Sequence, residues 1–200
     1  MFYYLKVGRL LKKWMLILPL FVVIILITMV AGYRFTALSA AKSNSFVTND
    51  FKLIEKYDTG SSAIFLFKSD AKKEYRTVLS EKSGLLYRSS VSTYIKYSSD
   101  KLQTVGGISF KSENDGVTFL SIISNNEEVA YIEAGIEPNI ERKEINKGQR
   151  ISFLFPFSEQ LDFLNPTAFD KNGKKLYYYG FPKDSNILKS EEFKWHKMDE

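Results

Sequence analysis

The chain has 200 residues, 26% of them charged, a net charge of +5 and no cysteine, which excludes disulfides, thiolate catalysis, zinc–thiolate sites, iron–sulfur clusters and lipid attachment through a thiol. Of the 28 basic residues, five (Lys6, Arg9, Lys12, Lys13, Arg34) fall in the first 34 positions, which hold no acid; the remaining 23 balance the 23 acids. The basic character therefore belongs to the N-terminus, and the neutral remainder, which lacks clustered Lys and Arg among stacking aromatics, is not expected to bind nucleic acid.

Residues 1–13 read as a basic cytoplasmic arm, followed by an uncharged run from Trp14 to Tyr33 that is mostly large and apolar. A helix over 14–33 would extend roughly 30 Å, the thickness of a bilayer's hydrocarbon core. It has no polar face, so it is expected as a single transmembrane signal anchor rather than a buried helix. Pro19 is tolerated within such a span because a lipid-embedded helix bends locally. The N-terminal positive charge keeps the arm inside and places the rest of the chain outside the cell membrane. The alternative is a cleaved secretory signal, for which Ala37-Leu38-Ser39 offers small residues; the length of the apolar run and the intervening Arg34 oppose it.

Residues 34–50, small and polar, read as a stalk. From Phe51 the pattern becomes short runs of Ile, Val, Phe and Tyr spaced by Gly, Asn, Asp and Ser, predicting strands at 51–57, 62–68, 75–80, 84–88, 91–97, 105–111, 116–124, 128–134, 149–155 and 175–181. Asn114-Asp115-Gly116 and Lys171-Asn172-Gly173 predict hairpin turns, because Asp-Gly and Asn-Gly favour the positive φ that tight turns require. Lys147-Gly148 is a third turn signal. Ser158 to Leu164 predicts a helical turn capped by Ser158 and stopped by Asn165-Pro166. The fold expected is mainly β, one β-sandwich-like or open-barrel domain over 51–188 with α+β as the alternative, and 189–200 reads as a frayed C-terminal tail, with docking through Trp195 left open.

No catalytic constellation emerges. Ser-x-x-Lys occurs at Ser39/Lys42, Ser69/Lys72 and Ser98/Lys101, with Lys82-Ser83-Gly84 and Ser124-Asn125-Asn126 nearby, but in the wrong order and without the helix that puts such a lysine beside its serine. His196 is the only histidine and sits near the terminus, where neither a triad nor a multi-histidine metal site is built. The acids Glu127, Glu128, Glu133, Glu137, Glu141 and Glu144 read as solvated positions. Asp170-Lys171-Asn172-Gly173 begins like a calcium loop but lacks its closing glutamate. No cofactor, metal or enzymatic activity is expected.

The feature most suggestive of binding is the aromatic strand Leu176 to Pro182. Alternation places Tyr177, Tyr179 and Phe181 on one face and Tyr178 on the other. A tyrosine left exposed there beside Tyr94 or Tyr97 would stack on a sugar or grip a peptide. The candidate binding surface is therefore Tyr94, Tyr97, Tyr177, Tyr178, Tyr179 and Phe181.

The stretches Val117–Ile123, Ile132–Glu141, Ile151–Pro156 and Ala168–Tyr177 resemble a loose class of Gram-positive exported proteins. Those proteins join one N-terminal anchor or lipid-attachment site to a small β-rich outer domain. The resemblance implies topology and fold class and carries no catalytic residue. The function expected is a membrane-anchored extracytoplasmic interaction module in contact with the lipid bilayer and engaging an envelope protein, a peptide or a wall polymer. The alternatives are an envelope-acting hydrolase and an immunity-type or regulatory accessory acting through its helix.

Overall fold

The structure is a computed structural model that describes residues 15, 17–23, 25–111, 116–183 and 189–198. It is mainly β, 50% strand against 13% helix, which favours the mainly β expectation over α+β, and its sheets do not close into a barrel. Twelve strands are described: β1 (Lys52–Asp58), β2 (Ser62–Ser69), β3 (Glu74–Ser83), β4 (Leu86–Lys96), β5 (Leu102–Lys111), β6 (Gly116–Ser124), β7 (Tyr131–Ile136), β8 (Asn139–Glu144), β9 (Arg150–Phe155), β10 (Thr167–Phe169), β11 (Lys175–Gly180) and β12 (Lys194–Lys197). They form three sheets: β1-β2-β3-β4, β5-β6-β9 and β12-β11-β10-β7-β8.

The sheets stack, and the small one lies in the middle. One cluster joins Ile64, Leu66 and Leu79 of the first sheet to Val105, Ile108 and Phe119 of the middle sheet. A second joins Leu120, Ile122, Phe153 and Phe155 of the middle sheet to Ile132, Ala134, Ala168 and Tyr177 of the third. Alternate residues of β6 thus enter opposite cores, which is why Val117 to Ile122 are buried without interruption. The polar residues in this run are bonded: the Thr118 hydroxyl donates to Phe157 O at 2.8 Å, and the Ser121 and Ser152 hydroxyl oxygens lie 2.8 Å apart. Glu55 accepts from Tyr57 and Ser152 and pairs with Arg150 at 3.0 Å, tying β1 to β9.

The first sheet is covered on its outer side as well. A short helix, α1 (Ala37–Lys42), starts on Thr36, whose hydroxyl accepts the Ser39 N–H while the Ser39 hydroxyl accepts the Thr36 N–H, a reciprocal cap. Ala40 and Ala41 are fully buried, and Ala41 and Phe51 pack on Ala63, Phe65, Phe67 and Val78. Residues 34–50 are therefore not an extended stalk. Their small side chains let the helix lie close to the sheet, and Asn44 donates to Ser89 O at 3.4 Å.

Other expectations are corrected in the same way. The runs 84–88 and 91–97 are one strand, β4. Residues 161–164 make turns only, and Ser158 bonds to Ser109 Oγ at 2.9 Å instead of capping a helix. The tail is not frayed where described, since β12 pairs with β11. The β10–β11 hairpin forms as expected: Gly173 has φ of +85°, and Asp170 Oδ1 accepts the N–H groups of Asn172 and Lys174, both at 2.8 Å. The β5–β6 hairpin also forms, with Lys111 opposite Gly116; Asn114 and Asp115 of its turn lie outside the described residues.

Of the expected span 14–33, residues 17–23 and 25–30 are helical, and positions 14, 16 and 24 lie outside the described residues, as does the arm 1–13. Among the described residues no helix is long and apolar enough to cross a membrane. The helical residues do not pack on the β domain: Ile17, Leu18, Leu20, Phe21, Leu26 and Ile27 are all exposed, and Val30 is 89% exposed. The helix ends in a double closure, Gly32 N–H to Met29 O (3.1 Å) and Tyr33 N–H to Thr28 O (3.0 Å), with Gly32 at φ +86°.

Candidate functional site

The structure distributes the six sequence-predicted tyrosine and phenylalanine residues over several environments. Tyr177 and Tyr179 share the inward face of β11 and are buried. Tyr177 lies in the core and accepts from Asn126 Nδ2 at 3.4 Å, which makes it structural. Tyr178, on the opposite face, stacks on His196 (centroids 5.2 Å apart) under the Lys183 ammonium at 4.7 Å. Tyr97 packs on Tyr75 at 4.8 Å and donates to Asp70 Oδ1 at 3.0 Å. Burial, reinforced by that carboxylate, pushes the Tyr97 phenol up to about 12. Neither Tyr97 nor Tyr178 is therefore the exposed stacking platform that the alternation suggests.

Tyr94 and Tyr179 do come together. They line a cleft of about 360 Å³ bounded by Tyr94–Lys96, by Ser98 and Asp100 of the following turn, by Leu102–Thr104, and by Ser190, Glu191 and Phe193–Trp195. Its aromatic wall is a cluster: Tyr179 meets Phe193 edge-on at 4.7 Å and Trp195 at 5.4 Å, and Phe193 meets Phe181 at 4.9 Å. Trp195 Nε1 donates to Thr104 Oγ1 at 3.1 Å, locking β12 onto β5. Burial pushes the Tyr179 phenol up to about 12, against the opposing effect of the Thr104 hydroxyl.

The opposite wall is the edge of the first sheet. Among the described residues that sheet ends at β4, so beyond the Arg34–Tyr87 bridge its outer row of β4 backbone groups pairs with no strand. This row faces the cleft, because Lys96 O accepts from Gln103 Nε2 at 3.1 Å. Tyr94 is 58% exposed at the rim. Its ring leans on Arg76, the residue opposite it on β3, with the guanidinium 5.5 Å from the ring centroid. Arg76 is only 8% exposed, pairs with Glu74 at 2.8 Å, and also lies over Phe46 (5.1 Å) and Phe51 (5.8 Å). The rim tyrosine thus rests on a buried ion pair. Lys96 and Lys194 give the cleft positive groups, Asp100 and Glu191 negative ones.

Sequence reasoning placed Phe193 and Trp195 in the tail, left docking through Trp195 undecided and included neither in the candidate surface; their i, i+2 spacing in a Lys-rich segment was the available strand signal. The other motifs resolve into structural roles. Ser69 Oγ donates to Asp50 and accepts the Lys72 N–H, while the Lys72 ammonium lies over Phe51. Hydrogen bonds from Ser69 and Thr48 hold the Asp50 carboxyl below the usual carboxylate range. Ser39 is spent on the α1 cap. His196 Nε2 lies 3.0 Å from Gly180 O and 2.9 Å from Glu192 O, so its proton serves backbone carbonyls. Among the described residues no group of three or more His, Asp or Glu is arranged to hold a metal ion.

Compared with known protein families, with characterised proteins and with solved structures, the chain matches none.

Proposed function

We propose that this protein is a membrane-tethered, extracytoplasmic interaction module whose cleft receives an extended segment of another envelope protein. The observation that carries this reading is the meeting, in one cleft, of an aromatic cluster with an unpaired strand edge. Strand addition draws affinity from main-chain hydrogen bonds along such an edge and specificity from pockets that take alternate side chains. Phe193 and Trp195 supply an apolar pocket wall, and the paired signs of Lys96, Lys194, Asp100 and Glu191 suit a polar peptide better than a uniformly charged polymer.

The tether reading is supported by the apolar helix, whose large side chains are exposed among the described residues, and by the charge asymmetry around it. Retention of the anchor is supported by the position of Ala37-Leu38-Ser39. Those residues form the first turn of α1, and cleavage there would remove its Thr36 cap.

The test is site-specific photo-crosslinking in intact cells, with the photoreactive group at Tyr94 or Lys194 and a control at Leu53. A discrete protein adduct at the first two positions, lost in Phe193→Ala, is the expected result. Absence of an adduct, or one equally strong at Leu53, would overturn the cleft as the site. Co-sedimentation of the full-length protein with purified wall polymer, abolished by the same substitution, would replace the peptide by a glycan.

A further inference from the structure

The junction between the N-terminal helix and the domain has a defined geometry. Arg34 N–H donates to Tyr87 O at 2.8 Å and Tyr87 N–H donates to Arg34 O at 2.7 Å. The Arg88 guanidinium lies over the Tyr33 ring at 5.6 Å. Arg34 Nη1 closes the helix by donating to Met29 O at 2.7 Å and Tyr33 O at 2.8 Å. The helix is thus joined to β4 just past the end of its apolar surface, with Ala31, Gly32 and Tyr33 between its last turn and the bridge.

The β3–β4 hairpin turns two residues before this bridge. At its tip Gly84 takes φ +61°, and the next side chain, Leu85, is 91% exposed. Phe35, immediately after Arg34, is 65% exposed. A single exposed apolar residue is ordinary on a protein surface. Here two of them flank the junction with an exposed apolar helix, and Arg34, Lys82 and Arg88 lie within three residues of them along the chain, with Glu81 opposite Arg88 on the ladder. An exposed apolar tip with cationic residues close on either side of it in the chain matches the boundary between acyl chains and anionic headgroups.

We propose that the β3–β4 hairpin tip and Phe35 form a second membrane contact, in which Leu85 and Phe35 enter the outer-leaflet interface of an anionic phospholipid bilayer and the three cations meet its headgroups. This inference rests on the anchor reading, because the helix is what brings the tip to the surface. The domain then stands on the membrane at two points, helix and hairpin, and its orientation is fixed.

The chain contains no native cysteine, so single-site spin labels need no background removal. The full-length protein, reconstituted in vesicles of phosphatidylglycerol and phosphatidylcholine, would carry labels in separate variants Leu85→Cys, Phe35→Cys, Ser99→Cys and Leu26→Cys. Ser99 is exposed at the opposite end of β4. The expected result is that labels at 85 and 35 become several-fold more accessible to lipid-dissolved oxygen, relative to aqueous nickel chelate, than the label at 99. The label at 26 should be the most lipid-exposed. Aqueous behaviour at 85 and 35 with lipid exposure at 26 overturns the second contact and leaves the anchor intact. Aqueous behaviour at 26 overturns both.

Discussion

The Glu74–Arg76 pair under Tyr94 offers a quantitative test of how the candidate cleft is built. The two side chains keep only 12% and 10% of their surface in water, and Arg76 Nε has no hydrogen-bond partner among the described residues. Removing one member of such a pair leaves a desolvated charge behind, which typically costs about 3–5 kcal/mol. Glu74→Ala is therefore expected to destabilise the domain by about that amount. Replacing both residues, as Glu74→Leu/Arg76→Leu, removes the stranded charge. What is lost then is chiefly the contact of the guanidinium with Phe46, Phe51 and Tyr94, about 1–2 kcal/mol in total for partly desolvated cation–π geometry. The double variant should thus be more stable than Glu74→Ala alone, a reversal that additive losses cannot produce. Urea unfolding of the full-length protein in micelles, followed by tryptophan fluorescence and far-ultraviolet circular dichroism, measures both. A cost below about 1 kcal/mol for Glu74→Ala would show that Arg76 reaches water, and the argument that Tyr94 rests on a buried ion pair would fail.

Further outcomes are expected elsewhere. Trp195→Ala removes a half-buried indole and its bond to Thr104 and should cost about 2–3 kcal/mol in the same unfolding assay, whereas Tyr94→Ala, at an exposed rim, should cost about 1 kcal/mol or less while abolishing the crosslink at Lys194. In an alkaline titration followed at 295 nm, Tyr57, Tyr97 and Tyr179 should ionise late, near 12. Because these folded values lie above the unfolded value of about 10, their stabilisation is complete below pH about 10 and is lost as pH rises through about 12. Asp50 and Asp70, held low by Ser69 and Thr48 and by Lys68 and Tyr97, act in the opposite sense: their contribution is present above the usual carboxylate range and disappears as pH falls below it. Asp50→Asn should accordingly flatten the acid limb of the stability profile. Gly135→Ala should prevent folding of the β7–β8 hairpin, seen as loss of dispersed amide resonances, because a Cβ there would lie 2.1 Å from Asn139 O at a φ of +128°.

The strands that carry the cores were legible because their chemistry is local. Val117 to Ile123 and Ala63 to Phe67 are apolar runs with β-branched and aromatic residues, and the Asp170–Gly173 turn contains its own hydrogen-bonding side chain. Three strands lay outside the predicted runs, although the hairpin expected at Lys171-Asn172-Gly173 already implied a short arm ahead of β11. β8 is polar because it lies at a sheet edge, and its Lys143 reaches inward to Ser152 O at 2.7 Å, a contact invisible along the chain. β10 is three residues long, and β12 is masked by its lysines. Residues 34–50 read as a spacer because alanine and serine carry no period, although alanine is what close helix–sheet packing demands. The cleft is assembled from positions 94–104 and 179–195, nearly a hundred residues apart. Strand alternation correctly assigned the faces of Tyr177 to Tyr179, but only the sheet stacking decides which of these rings lies near Tyr94.

The bridge between Arg34 and Tyr87 also sets a distance. β4 runs without interruption from Leu86, beside the helix exit, to Tyr94 at the cleft rim, and eight steps at about 3.3 Å span about 26 Å. With the helix as the proposed anchor, this strand length is the greatest height above the bilayer at which the cleft would be presented. Under the proposed anchoring the protein would act as a fixed-length post: a partner would have to bring its own segment into this thin layer over the membrane, and a target anchored farther out would stay out of reach.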